Sequence, residues 1–522
     1  MKRFSLAAVV FGFLVFGAHA VTSPTRPNIV FILADDLGYG DVKCLNPEGK
    51  IATPNLDRIA REGIIFTDAH SSSAVCTPTR YGLMTGRYNW RSRLQSGVQG
   101  GMSPRLIEPG RLTVPALLRQ HGYHTCAIGK WHLGMDWALK PGARAFGDDI
   151  ETGPAGWNAD FTKPITDGPN SVGFDDFYGL GGSLDMVPYT FIENDHVTAV
   201  PTVDKKFPMM FGRTNGYTRN GPAAAEFEAV DVLPTLTRKA VEYVTRRSDL
   251  ALRGQPFFLY LALASPHTPI IPSQGWQRKS GLNPYADFVM QTDASVGEVL
   301  RALDRGQFTT NTLVVFTSDN GCAPQAGFTA LMKQGHNPSY HFRGTKADIY
   351  EGGHHVPFLA RWPGHVAAGS KTSQLICLND LMATCAELLE TTLPPNAGED
   401  SVSFLGALFG DSSRASRKNL VHHSINGSFA IREGDWKLAL CAGSGGWSEP
   451  RPGSAAERDL SKVQLFNLAE DPREKVNLQD KRPELVARLT GLLEKQVAKG
   501  RSTPGNPQTN TTTIRIRKDT GK

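Results

Sequence analysis

Short, continuous apolar runs occupy residues 27–33, 257–264 and 313–317, each closed by polar residues, glycine or proline. Runs of this kind suit strands buried on both faces of a parallel sheet, which have no solvated face to alternate with. Between them lie stretches in which apolar residues return every three or four positions, at residues 114–121, 233–247 and 285–303. That is the spacing of amphipathic helices. Strand and helix alternating along the chain predict an α/β sandwich around a mostly parallel central sheet. Ligands in such folds gather beyond the carboxyl ends of the strands. Asp35 and Asp36 follow the first run and Asp319 and Asn320 follow the third, so both pairs are candidates for a site.

The pattern changes near residue 400. Residues 398–403 and 410–416 read as loops, residues 428–432, 436–440 and 465–468 as strands, and residues 483–499 as a helix. The expected organisation is a large α/β domain over residues 21–415 and a smaller C-terminal α+β subdomain over residues 416–500. Residues 501–522, rich in Thr, Pro and Asn, read as a loosely ordered tail. At the other end, Lys2 and Arg3 precede an apolar run over residues 4–16 and then Ala18-His19-Ala20. This is the three-part layout of a secretory signal peptide, residues 1–20. The run is shorter than a membrane span and no later run reaches its length, so the expectation is an exported protein, secreted or periplasmic, and not a transmembrane one.

Composition narrows the picture only slightly. A chain of 522 residues with 40% hydrophobic and 20% charged residues can bury a large core, and its net charge of +6 is modest. A mildly basic surface favours anionic ligands, and no Lys/Arg run interleaved with aromatics marks a nucleic-acid groove. The seven cysteines, Cys44, Cys76, Cys126, Cys322, Cys377, Cys385 and Cys441, are too few and scattered for a disulfide framework. An odd number leaves one thiol to be explained. Cys76 is the candidate, and the rest read as buried free thiols.

Cys76-Thr77-Pro78-Thr79-Arg80 is the strongest local feature. Pro78 favours a first helical turn, which puts Cys76 at a helix N-terminus where the dipole favours negative charge, with Arg80 one turn on and pointing back. A cysteine in such surroundings is expected to be reactive. Asp35, Asp36, Asp319 and Asn320 are hard oxygen donors that suit Ca²⁺, or Mg²⁺ as the second choice, and not zinc. Lys130 and His132 in Gly129-Lys130-Trp131-His132, His267 in Ser265-Pro266-His267, and Lys346 in Arg343-Gly344-Thr345-Lys346 supply an anion-binding and proton-shuttling set.

At these residues the chain resembles the type I sulfatases, a branch of the alkaline phosphatase superfamily. The match runs from about Pro27 to Leu478. Residues 76–86 look like the first sulfatase signature and residues 122–132 like the second, while residues 465–478 look like the family's small domain. The resemblance implies hydrolysis of sulfate esters, on a sulfated carbohydrate or an aryl sulfate, after a formylglycine-generating maturation enzyme has oxidised Cys76. It implies Ca²⁺ on Asp35, Asp36, Asp319 and Asn320, also touching residue 76. Arg80, Lys130 and His132 would orient the hydrated aldehyde, and His267 and Lys346, with Lys130, would grip the sulfate and protonate the leaving alcohol. Two other readings are a phosphomonoester or phosphonate hydrolase of the same superfamily, and a non-enzymatic binder of sulfated glycans with an unmodified Cys76. Between Asn320 and Lys346 lies a long loop rich in sugar-compatible groups. Within it, Tyr340 and His341 are expected to contribute to a leaving-group subsite.

Overall fold

The apolar run after Pro27 forms the strand Asn28–Ala34, every residue of it buried, at the centre of a ten-stranded sheet. The computed structural model describes residues 26–517 except 152, 412 and 415, so the expected signal peptide lies outside the described residues. On one side Asn28–Ala34 pairs in parallel with Thr312–Ser318, Ala34 lying opposite Ser318. On the other it pairs in parallel with Phe257–Ala262, which pairs in turn with His124–Lys130 and that with Asp176–Leu180. These five strands run the same way and deliver their carboxyl ends to one edge of the sheet. Phe358–Arg361 follows antiparallel beside Thr312–Ser318, then Ile64–Phe66 and Ser370–Thr372, while the hairpin Ile192–Glu193 and His196–Val197 closes the far end. The flanking strands were not anticipated, because pieces of two to four residues carry no usable period.

The helices expected at residues 233–247 and 285–303 are longer than the pattern suggested, Val232–Leu252 and Pro284–Arg305, and they pack on each other. Pro284 takes the first turn of the second, and the Asn283 side chain accepts the Ala286 N–H at 3.0 Å to cap it. A second group packs Cys76–Thr85 against Val114–Gln120 and Leu381–Leu388.

The C-terminal part is a four-stranded antiparallel sheet of Asn419–His423, Phe429–Glu433, Trp436–Ala439 and Gln464–Asn467. Helix Pro483–Lys499 buries Leu489 and Leu493 against Leu420, Ile431, Leu438 and Leu465 of this sheet. Residues 501–517 carry no helix or strand, yet they are anchored. Ser502 N–H donates to Asp400 Oδ1 at 3.0 Å, Thr511 N–H donates to the Arg91 carbonyl at 2.7 Å, and Ile514 and Ile516 pack against the C-terminal core. All seven cysteines are unpaired, and among the described residues no helix is long and apolar enough to cross a membrane.

Candidate active site

Four adjacent strand ends assemble the site. In sheet order they present Asp319 and Asn320 after Thr312–Ser318, Asp35 and Asp36 after Asn28–Ala34, His267 after Phe257–Ala262, and Lys130 as the last residue of His124–Lys130. The parallel register does this directly: Asp319 N–H donates to the Ala34 carbonyl at 3.1 Å, so Asp35 and Asp319 are neighbours across the ladder. Asp36 leaves the strand in a left-handed turn (φ +64), and its N–H donates to Asp319 Oδ1 at 3.3 Å.

Cys76 opens the helix Cys76–Thr85, as the proline pattern predicts, and is 2% exposed. Two threonines hold this helical turn: Thr79 Oγ1 donates to the Ser73 carbonyl at 2.9 Å and Thr77 Oγ1 accepts the Gln99 N–H at 3.2 Å. Burial pushes the Cys76 thiol up, and the lysines at 130 and 346 only partly oppose it.

Arg80, fully buried, grips Asp319 Oδ2 with both Nε (3.1 Å) and NH2 (2.8 Å), and its NH1 donates to the Lys130 carbonyl at 2.8 Å. Lys130 Nζ donates to Asp35 Oδ2 at 2.6 Å, and Lys346 Nζ donates to Asp36 Oδ2 at 2.9 Å. Asn320 Nδ2 donates to Asp36 Oδ1 at 2.7 Å. Three carboxylates thus face three fixed cations, all nearly fully buried. Burial alone would raise Asp35, but Lys130, His267 and Arg80 outweigh it and hold that carboxyl well below the usual range. Asp319 goes the other way, up to about 6, through burial and then the charge of Asp35. Two buried oxygens, Asp35 Oδ1 and Asn320 Oδ1, have no hydrogen-bond partner among the described residues.

The histidines have defined tautomers. His132, held at φ +57, donates Nε2–H to the Gln99 carbonyl at 2.7 Å, which leaves Nδ1 a lone pair with no partner among the described residues. Burial and then Lys130 keep this imidazole well below its usual range, so it is neutral. His267 donates Nδ1–H to the Thr268 carbonyl at 2.6 Å and turns Nε2 toward Asp36 Oδ2 at 3.6 Å. The arrangement therefore offers two ammonium groups and a guanidinium for an anion, hard oxygens for a cation, and two imidazole nitrogens for protons.

The stretch between Asn320 and Lys346 is less loop-like than expected, since it contains the helix Phe328–Lys333. Tyr340 stacks on Tyr39 with ring centroids 6.0 Å apart. With His341, Asn46, Glu48, Asn337 and Arg473 it lines a cavity of about 490 Å³, which no hydrogen bond joins to Cys76 or Lys346 among the described residues. Sequence reasoning overlooked Gln99, which fixes both His132 and Thr77, and Trp447, whose ring lies 5.9 Å from Lys346 Nζ. Gln99 acts through its backbone and Trp447 arrives from the C-terminal subdomain, so neither leaves a local sequence signal.

Comparison with known proteins identifies the family. Residues 27–391 match the Sulfatase family. The chain is 33% identical to N-acetylgalactosamine-6-O-sulfatase of Bacteroides thetaiotaomicron, over 90% of this chain and 93% of that protein. It is also 33% identical to human arylsulfatase A, over 88% of this chain and 84% of that protein. A solved sulfatase from the glycosaminoglycan metabolism of Bacteroides thetaiotaomicron superposes with a TM-score of 0.77 at 32% identity, covering 90% of this chain and 99% of the other. By these similarities the protein is a sulfuric ester hydrolase, and the chain belongs to the sulfatase family.

Proposed function

We propose that this sulfatase hydrolyses a carbohydrate sulfate with a formylglycine at residue 76 and a Ca²⁺ held by Asp35, Asp36, Asp319 and Asn320, with Mg²⁺ as the second candidate ion. The observation that carries the metal reading is the pair of unpartnered buried oxygens, Asp35 Oδ1 and Asn320 Oδ1, in a donor set made only of carboxylates and an amide. Such a set fits a hard cation, and an orphaned buried acceptor is costly without one. When bound, the ion supplies charge neutralisation at a sulfate oxygen and at residue 76. Formylglycine, made from Cys76 by a maturation enzyme, would supply as its hydrate two hydroxyls on one carbon, one as nucleophile and one to release sulfate by collapse to the aldehyde.

The chain's own groups do the rest. Lys130 and Lys346 bind sulfate oxygens and offset charge as it builds. Arg80 holds Asp319 and the Lys130 backbone in register beside residue 76. His267, as an imidazolium whose Nδ1–H stays on the Thr268 carbonyl, hands its Nε2 proton to the leaving alcohol, with Lys346 as the alternative donor. His132, neutral with Nδ1 free, accepts the proton from the hydroxyl at residue 76 when sulfate leaves. Tyr340 and His341 are assigned to contacts with the leaving sugar. The N-terminal sequence supports export.

The named relative from Bacteroides thetaiotaomicron makes 6-O-sulfated N-acetylgalactosamine the first substrate to test and aryl sulfate the second. The experiment co-expresses the chain with a formylglycine-generating enzyme, measures the mass of the peptide around residue 76, and compares turnover of matched sulfate and phosphate esters. Loss of the thiol sulfur with gain of an aldehyde oxygen, and faster turnover of the sulfates, is the expected result. An unmodified thiol, or preferential phosphate hydrolysis, would reject it.

A further inference from the structure

The loop over residues 441–450 leaves the C-terminal sheet and is sewn to the segment that carries Lys346. Asp348 Oδ1 accepts the backbone N–H groups of Trp447 (2.8 Å) and Ser448 (3.0 Å), while its Oδ2 accepts the Thr345 N–H at 2.8 Å. Ile349 N–H donates to the Ser444 carbonyl at 2.7 Å, and the Thr345 and Ser448 hydroxyls meet at 3.3 Å. The approach is so close that a side chain at Gly446 would meet the Ala347 carbonyl at 2.4 Å. These bonds fix the backbone that carries Trp447. Trp447 is half-buried, and its ring centroid is 5.9 Å from Lys346 Nζ.

We propose that Trp447 is the wall against which the sulfated pyranose stacks, making it a specificity-determining residue contributed by the C-terminal subdomain. The proposal rests on the reading of Lys346 as a sulfate-binding residue. A sulfate oxygen held about 2.8 Å from the Lys346 ammonium brings the esterified carbon, joined to the same sulfur by one bridging oxygen, into the space that the indole borders. A hexopyranose has an apolar C–H face that complements an aromatic ring. The backbone that carries the ring is already positioned by hydrogen bonds, so no loop ordering is needed on binding.

The test uses the matured, metal-loaded full-length protein, with Trp447→Ala and Trp447→Phe. It measures kcat and KM on sulfated monosaccharides and the inhibition constant of inorganic sulfate, which binds Lys346 but has no ring to stack. Trp447→Ala should raise KM for the preferred saccharide by about tenfold or more, Trp447→Phe should recover most of that loss, and the sulfate inhibition constant should stay within about twofold. A parallel weakening of inorganic sulfate would mean that Trp447 acts only through Lys346, and would overturn the proposal. So would an unchanged KM across the saccharides in Trp447→Ala. Failure of the underlying reading is distinguishable, since Lys346→Ala would then leave inhibition by inorganic sulfate unaltered.

Discussion

Lowering the pH should loosen the join between the large domain and the C-terminal sheet, because three buried imidazoles lie there. His70 Nδ1 is 3.1 Å from His354 Nδ1, and His354 stacks on His422 with centroids 3.6 Å apart. Both ring nitrogens of His422 lack partners among the described residues. Around them stand Asp68 and Arg432 at His70, Glu351 and Lys437 at His354, His355 beside Glu351, and Glu474 on Lys437. Burial, then the neighbouring His355, pushes His70 from 6.5 to about 4. Burial, then His422, holds His354 well below its usual range, and burial, then His70, does the same to His422. A histidine whose folded pKa is depressed is fully compatible with the fold above about 6.5, and it costs stability as pH falls, because the unfolded chain takes up the proton first. For His70 the change from 6.5 to about 4 is worth about 3 kcal/mol. Glu474 opposes it. Burial raises its carboxyl to about 7, so falling pH relieves a penalty of about 3 kcal/mol between pH 7 and 4.5. At this join the two contributions cancel, and His354 and His422 decide the local sign: the join weakens as pH falls below about 6.5. Calorimetry with saturating Ca²⁺ at pH 7.0, 6.0, 5.0 and 4.5 should show a declining midpoint. His422→Phe, close in size and free of the orphan nitrogens, should lose less over the same range. A midpoint that is flat or rises toward pH 4.5, or a phenylalanine variant as acid-sensitive as the parent, would refute this reasoning.

Other outcomes follow from the active site. Cys76→Ala should abolish turnover and reactivity with a hydrazide probe while leaving the far-ultraviolet circular dichroism unchanged. Arg80→Ala strands the buried Asp319 carboxylate and should cost about 3–5 kcal/mol of stability, read by denaturant unfolding, along with activity. Chelation, or Asp319→Asn, should remove activity, and elemental analysis of the parent protein should find Ca²⁺ near one per chain. Alanine at both Tyr340 and His341 should impair a sulfated saccharide more than a small aryl sulfate. Equal losses on the two would place the effect at Lys346 instead.

The sequence by itself determined the central strands, the main helices and the family. Apolar runs such as Asn28–Ala34 are local, strong and buried on both faces, and the chemistry-bearing residues follow directly at their ends. Pro78 was enough to put Cys76 at a helix start. Tertiary structure decided what those residues do to one another. That Arg80 holds Asp319 and that His132 keeps Nδ1 free depend on strands brought side by side from distant parts of the chain. The thiol of Cys76 goes up because the whole fold closes over it, and this outweighs the lysines that the sequence could suggest. The histidine cluster draws on three separate segments, and Trp447 reaches Lys346 from the C-terminal subdomain. Hydrophobic period and turn chemistry act over a few residues and can be read in order. Burial, charge coupling and hydrogen-bond partners are sums over everything packed nearby, and only the folded chain specifies what is near.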